Sequence, residues 1–266
     1  MNKLSITIFG MGKVGSALKK ALHKSGYPIH STFNRNTFPK DIEEIGEVIF
    51  LTVHDRDIKD LADKITAAFQ SFKGKHIIHC SGTLDSSVLH SAVSIGAKTA
   101  SFHPLKAVAD NDDSFANVWF DMDGHQETLE VLREMATNLN AHCFEIKPEA
   151  KPLLHAAAVV SANYVVTLLK LATEIAKVGG INPEIALKAL LPLTESSVSN
   201  IQEKGLEDSL TGPIARGDVD TIERHLMKLE QNQDLLNLYK TLGRNTLQLA
   251  NKLDDESIKK LQKLLD

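Results

Sequence analysis

Three glycines near the start of the chain have the spacing of a phosphate-binding loop. The stretch "IFGMGKVG" sets Gly10, Gly12 and Gly15 in a GxGxxG pattern. The pattern follows an apolar strand, "LSITIF", and opens a helix, the context in which it cradles a pyrophosphate. Gly10 permits the tight turn, Gly12 lets the backbone approach the phosphates, and Gly15 lets the helix pack close to the strand. Met11, Lys13 and Val14 complete the loop, and the helix N-terminus offers free N–H groups to an anion. A dinucleotide is the expected ligand.

The second strand, "PIHSTF", selects between dinucleotides. A carboxylate at its end would hold both ribose hydroxyls of NAD. Asn34 stands there instead, with Arg35 and Asn36 behind it. Nothing repels a 2′-phosphate, and a guanidinium is available to bind one through two hydrogen bonds. NADP is therefore expected rather than NAD.

Reduction of a carbonyl or imine also needs a proton donor, and histidine is suited to that near neutral pH. His103 lies in "SFHPLKAV", where Pro104 holds it in extended geometry at a strand's carboxyl end. His155 lies in an apolar helical stretch, "LLHAAAVVSANYVVTLL", and Asn163 follows eight residues later, about 80° round the helix. An amide in such a stretch needs a partner, because burying it unpaired costs about 1–3 kcal/mol. His155 is favoured as donor, Asn163 as the group orienting substrate, and His103 as a wall of the site. Lys106, and Arg216 in "LTGPIARGD", are candidate anion anchors. His76, His79, His90, Cys80 and Cys143 lack metal-ligand spacing, so no metal is expected.

These residues need a scaffold, and the pattern around them supplies one. "EVIFLTV", "KHIIHC", "AKTASF", "NVWFDMDG" and "AHCFEI" read as further strands, mostly alternating with helical stretches. Alternation of this kind implies βαβ units and a mostly parallel sheet covered on both faces. After Lys147-Pro148 only helical periodicity continues. A long helix is expected over about 149–178, then one capped by Asn182 with Pro183 at its first position, then three near 218–229, 233–250 and 255–265. The fold class is α/β, a dinucleotide-binding domain over 1–148 followed by an all-helical domain over 149–266.

Together "IFGMGKVGSAL", "FNRN", "FLTVHDRDI", "HCSGTL", "SFHPL", "HAAAVVSANY" and "LTGPIARGD" resemble the Rossmann-like DUF2520 family of NADP oxidoreductases. The resemblance covers nearly the whole chain. It extends to a superfamily holding pyrroline-5-carboxylate and ketopantoate reductases, prephenate dehydrogenases and 6-phosphogluconate-dehydrogenase-like enzymes. It implies substrate in the cleft between domains and a homodimer through the helical domain. It also implies that Thr52, Val53 and His54 border the cofactor and that Ser81 and Gly82 lie beside the nicotinamide. Two departures narrow it. Leu105-Lys106 replaces the glycine that follows His-Pro in prephenate dehydrogenases. The lysine and asparagine that related dehydrogenases carry four apart on the long helix are missing.

Composition excludes other classes. A formal net charge of -4 with scattered cations gives no footprint for nucleic acid. The polar residues in the greasy segment favour a helix of a soluble protein over a membrane span. "MNKLSITIFG" runs straight into a strand, so no secretory leader is expected and a cytoplasmic location is. The expected function is NADP-dependent hydride transfer with a small, anionic carbonyl or imine compound. The rival is a non-catalytic NADP-binding sensor or assembly protein.

Overall fold

The computed structural model describes residues 3–266. Its strands are β1 (Ile6–Phe9), β2 (Ile29–Phe33), β3 (Val48–Leu51), β4 (His76–His79), β5 (Lys98–Pro104), β6 (Trp119–Gly124) and β7 (His142–Glu145). They form one sheet in the order β2-β1-β3-β4-β5-β6-β7. β1 to β5 run parallel, β6 is antiparallel to β5, and β7 is parallel to β6. Every position of β1 and β3 is buried, which is why both read as unbroken apolar runs.

Helices cover both faces. α1 (Lys13–Lys24) and α4 (Gln126–Asn138) pack Leu18, Leu22, Leu132 and Met135 onto one side of the sheet. α2 (Asp55–Ala68) and the short α3 (His90–Ser94) bring Ile58, Ala62, Ile65 and Ala92 to the other. The chain leaves β1 for β2 on one side and returns to β3 on the other. The strand order therefore reverses between β1 and β3, the position where open α/β sheets bind nucleotides.

The chain divides into two compact units, Met1–Ala162 and Asn163–Asp266, a boundary downstream of the 148/149 junction expected from the change to helical periodicity. The helix expected over 149–178 is broken. α5 (Lys151–Ser161) ends at Ala162, whose φ of -118° and ψ of -65° depart from helical values, and α6 (Asn163–Val178) starts again. α5 stays with the sheet because its first side chain, Lys151, is buried there among charged partners.

In the second unit α6 packs on α7 (Pro183–Asp208), which starts as the sequence predicts, with Asn182 accepting from the Glu184 and Ile185 amides and Pro183 in the first turn. α8 (Val219–Leu229), α9 (Gln233–Leu247) and α10 (Asp255–Leu265) follow, and Ile222, Leu226, Leu261 and Leu265 form a small core. Among the described residues α6 buries no side chain and α7 buries only Ala186. Val166, Ile185 and Leu193 are each more than 60% exposed, at 71%, 63% and 63%. By length and composition alone, Pro148–Val178 is long and apolar enough to cross a membrane.

Candidate functional site

The glycine loop takes the shape its spacing implies. Gly10 has φ +97°, open to glycine at no steric penalty, and a Cβ there would lie 2.8 Å from the Thr52 carbonyl. A Cβ on Gly15 would collide with the Gly10 carbonyl and lie 2.5 Å from Thr52 Oγ1. That hydroxyl donates to the Gly10 carbonyl at 2.5 Å, tying the end of β1 to the end of β3. A Cβ on Gly12 would meet nothing within 4 Å. Gly12 caps α1 without a side-chain hydrogen bond, so the first amides of α1 are left for an anion. Beside the loop a cleft of about 550 Å³ is lined by Val14, Thr52, Val53, His54, Asp55, Arg56 and Cys80. Burial pushes the Cys80 thiol up to about 12, so it stays protonated.

The turn after β2 is organised around Asn34. Its Oδ1 accepts from the Asn36 amide at 2.9 Å, an Asx turn that leaves Arg35 at the tip. Arg35 is exposed and has no hydrogen bond or ion pair among the described residues. Asn36 is also exposed. Lys13 pairs across the surface with Asp110 at 3.5 Å.

Past β4 the chain turns through Ser81 and Gly82. The Ser81 hydroxyl accepts from the Thr83 and Leu84 amides at 3.2 and 3.1 Å, so it braces the turn. Gly82 does something different. A Cβ there would lie 2.7 Å from His103 Cε1, 2.8 Å from His103 Nε2 and 2.7 Å from His155 Nδ1. The two rings are tilted by 60° with centroids 6.0 Å apart, and both edges converge on the bare Cα of Gly82. Thus the structure brings His103, His155 and Gly82 together at the carboxyl ends of β4 and β5.

His103 is held by charge. Alternation along β5 puts Ser101 and His103 on one face, while Ala100 and Phe102 enter the core. β6 alternates likewise, with Asp121 and Asp123 set against Phe120 and Met122. The antiparallel register pairs Ser101 with Asp123 and His103 with Asp121. His103 Nδ1 lies 2.7 Å from Asp121 Oδ2. Lys151, fully buried, donates to Asp121 Oδ1 at 2.5 Å and to Ser101 Oγ at 2.7 Å, with Asp123 Oδ2 at 3.5 Å. Burial alone would raise the Asp121 pKa. Hydrogen bonds from His103 and Lys151, with the ammonium charge, outweigh it and hold the carboxyl below its ordinary value. Among the described residues His155 has no such partner, and its Nδ1 is buried without a hydrogen bond.

Asp121, Asp123 and Lys151 are functional candidates that sequence reasoning missed. Their signal was the alternation in "WFDMDG", two carboxylates at period two inside a strand that otherwise reads as core. The remaining expected residues are placed as follows. Lys106 is occupied, donating to the Ser114 carbonyl at 2.9 Å and pairing with Asp112 at 3.1 Å, so it braces its own loop. Asn163, expected to be buried, is exposed at the start of α6. Arg216 is exposed in the turn after α7, where Gly212 and Gly217 have positive φ.

His79 lies beneath the turn and is neutral. Its Nε2–H donates to the Asp85 carbonyl at 3.0 Å and its Nδ1 accepts from the Ser81 amide at 3.2 Å. Burial pushes it from 6.5 down to about 4. The unfolded chain then takes up this proton first, so the stabilisation is complete above about 6.5 and is lost as pH falls toward about 4. The loss reaches about 3 kcal/mol at most. His76 is lowered by burial too, so the contribution is read as a difference. Urea midpoints of wild type and His79→Gln, compared through that window, are expected to show the steeper acid loss in wild type. Parallel profiles would refute it.

Residues 118–246, from β6 into α9, match the family described as Domain of unknown function (DUF2520). No curated protein matches the chain. Among solved structures, a Bacteroides fragilis protein assigned as an NADP oxidoreductase superposes with TM-score 0.72 at 20% identity, covering 93% of this chain and 99% of its own. A Thermotoga maritima protein follows with TM-score 0.71 at 23% identity, covering 92% and 98%. Pyrroline carboxylate reductase of Plasmodium falciparum, solved with NADP bound, gives TM-score 0.61 at 14% identity over the whole of both chains. These likenesses establish a Rossmann fold with a helical C-terminal region.

Proposed function

Starting from a Rossmann fold whose residues 118–246 match DUF2520, we propose that the protein is a cytoplasmic NADP-dependent oxidoreductase acting on a small, anionic carbonyl or imine compound. One observation carries the reading. A phosphate loop and a carboxylate-held histidine stand on the same carboxyl edge of one sheet. The residues present fit the cofactor, since the amides of α1 and the open space at Gly12 suit the pyrophosphate. Arg35 suits a 2′-phosphate, and the cleft along Thr52, Val53 and His54 suits the rest of the dinucleotide. The nicotinamide supplies hydride when bound.

This chain's own residues handle the proton. His103 donates it from Nε2 to the substrate oxygen or nitrogen beside Gly82, while Asp121 stabilises the imidazolium that precedes transfer. This reverses the preference for His155, which has no group to orient it and serves as a second wall. Asn163 and Arg216, both exposed, are the proposed orienting and anchoring groups of the second unit. The apolar surface of α6 and α7 is read as the face of a homodimer.

Titration calorimetry with NADPH and NADH tests the cofactor assignment. Wild type is expected to bind NADPH more tightly, and Arg35→Ala to weaken NADPH by about 10-fold or more without affecting NADH, as removal of a charge-assisted pair worth 1.5–3 kcal/mol predicts. Equal binding of both nucleotides would overturn it. The same samples, free of detergent, should sediment at twice the chain mass. NADPH binding without oxidation by any small keto acid or cyclic imine would favour the sensor reading, whose support is the missing lysine-asparagine pair.

A further inference from the structure

We infer that Asp121 and Lys151 act together as positioning residues that lock His103 in its Nδ1–H tautomer, leaving Nε2 as the unprotonated nitrogen turned toward Gly82. The inference rests on the reading of His103 as the proton-transfer group, but its physical content is separate from activity.

An ionised carboxylate only accepts hydrogen bonds. With Asp121 Oδ2 at 2.7 Å from His103 Nδ1, that nitrogen must carry the hydrogen as long as Asp121 is ionised. Lys151 keeps it so. Asp121 and Asp123 are buried two residues apart on one face of β6, and two carboxylates in such a place would otherwise share a proton. A protonated Asp121 could donate to Nδ1 and reverse the tautomer. The ammonium 2.5 Å from Oδ1 prevents this and also fixes the carboxylate's rotation, because turning it would strip Lys151 of its best partner. Three elements therefore set one proton: β5 carries the ring, β6 the carboxylate, and α5 the cation.

The consequence is directional. The neutral ring presents a lone pair at Nε2 and accepts a proton from a substrate hydroxyl or amine. The charged ring returns it, breaking Nε2–H and forming O–H or N–H, and Nδ1–H is untouched in both directions. In the opposite tautomer the neutral ring would present a hydrogen at Nε2 and could not act as a base there.

The test reads the tautomer in the free protein by two-bond 15N–1H correlations of the imidazole, recorded at alkaline pH. His103 is assigned among the eleven histidines by the signals missing in His103→Gln. Wild type is expected in the Nδ1–H form. In Asp121→Asn the single amide oxygen must turn to the buried Lys151 ammonium, so the NH2 faces Nδ1 and the ring switches to Nε2–H. In Asp121→Asn combined with Lys151→Met the oxygen is released to accept from the ring, and the Nδ1–H form returns. A wild-type ring in the Nε2–H form would overturn the proposal even if neither variant folds, as would an unchanged tautomer in folded Asp121→Asn. Failure of the double variant to restore the tautomer would remove Lys151 from it. Full turnover in His103→Gln would sink the proton-transfer reading and leave the tautomer measurement standing, so the two failures are distinguishable.

Discussion

Replacing His103 by Gln is expected to lower kcat for NADPH oxidation by a 2-keto acid or cyclic imine about 10²–10⁴-fold, the usual contribution of a positioned acid or base. Affinity for NADPH should stay unchanged. Gln reaches about as far as the imidazole Nε2 and still offers a hydrogen bond toward Gly82, but it exchanges no proton near neutral pH. The substitution therefore separates proton transfer from polar contact. It also leaves the Lys151–Asp121 ion pair in place, so the buried carboxylate keeps its cation and the fold keeps most of its stability. His155→Gln is the control. Its Nδ1 has no hydrogen-bond partner among the described residues, so losing the ring removes a wall and should cost less turnover than losing His103. If His155→Gln abolishes turnover and His103→Gln does not, the two roles are exchanged. A fall in NADPH affinity in His103→Gln would place the residue in cofactor binding instead.

How much of this site was legible in the sequence depends on how far apart its parts lie. The glycine loop was readable because its chemistry is local: a strand, a turn with φ +97° at Gly10 and a helix start all fall within a dozen residues. Asn34 and Arg35 were readable for the same reason. The strands were legible from apolar runs, and His103 from the proline that follows it. Its partner was not. Asp121 meets His103 only because β6 adds to the sheet antiparallel to β5, and nothing in "WFDMDG" states which strand will lie beside it. Nor does anything around Lys151 announce that its side chain will be buried against β6 and hold two carboxylates. Asn163 was misjudged for a different reason. Hydrophobic periodicity says that a face will be covered but not by what, and α6 leaves that face exposed within one chain.

Gly12→Asp and Gly15→Ala should fail in opposite ways, although both alter the same motif. Gly12 has φ -70°, ordinary for any residue, and a Cβ there points into open space. Asp is moreover a good N-cap, so α1 should lose nothing in stability and gain a few tenths of a kcal/mol. The carboxylate would stand where the pyrophosphate binds. Two unit charges 4 Å apart near a protein surface repel by about 4 kcal/mol, so NADPH affinity should fall on the order of 10³-fold. Gly15→Ala meets protein instead of ligand. Its Cβ would press on the Gly10 carbonyl and on Thr52 Oγ1, the hydroxyl that joins the ends of β1 and β3. Backbone cannot turn aside as a flexible side chain does, so overpacking of about 1–3 kcal/mol is expected, visible as a lower urea midpoint. Binding then weakens only as far as the loop is displaced. Calorimetric titration beside urea unfolding of both variants reads the two effects separately. A destabilised Gly12→Asp would mean that the space above Gly12 is closed in solution. A Gly15→Ala as stable as wild type would mean that α1 does not nest on the β1–β3 junction as closely as the Thr52 hydrogen bond requires.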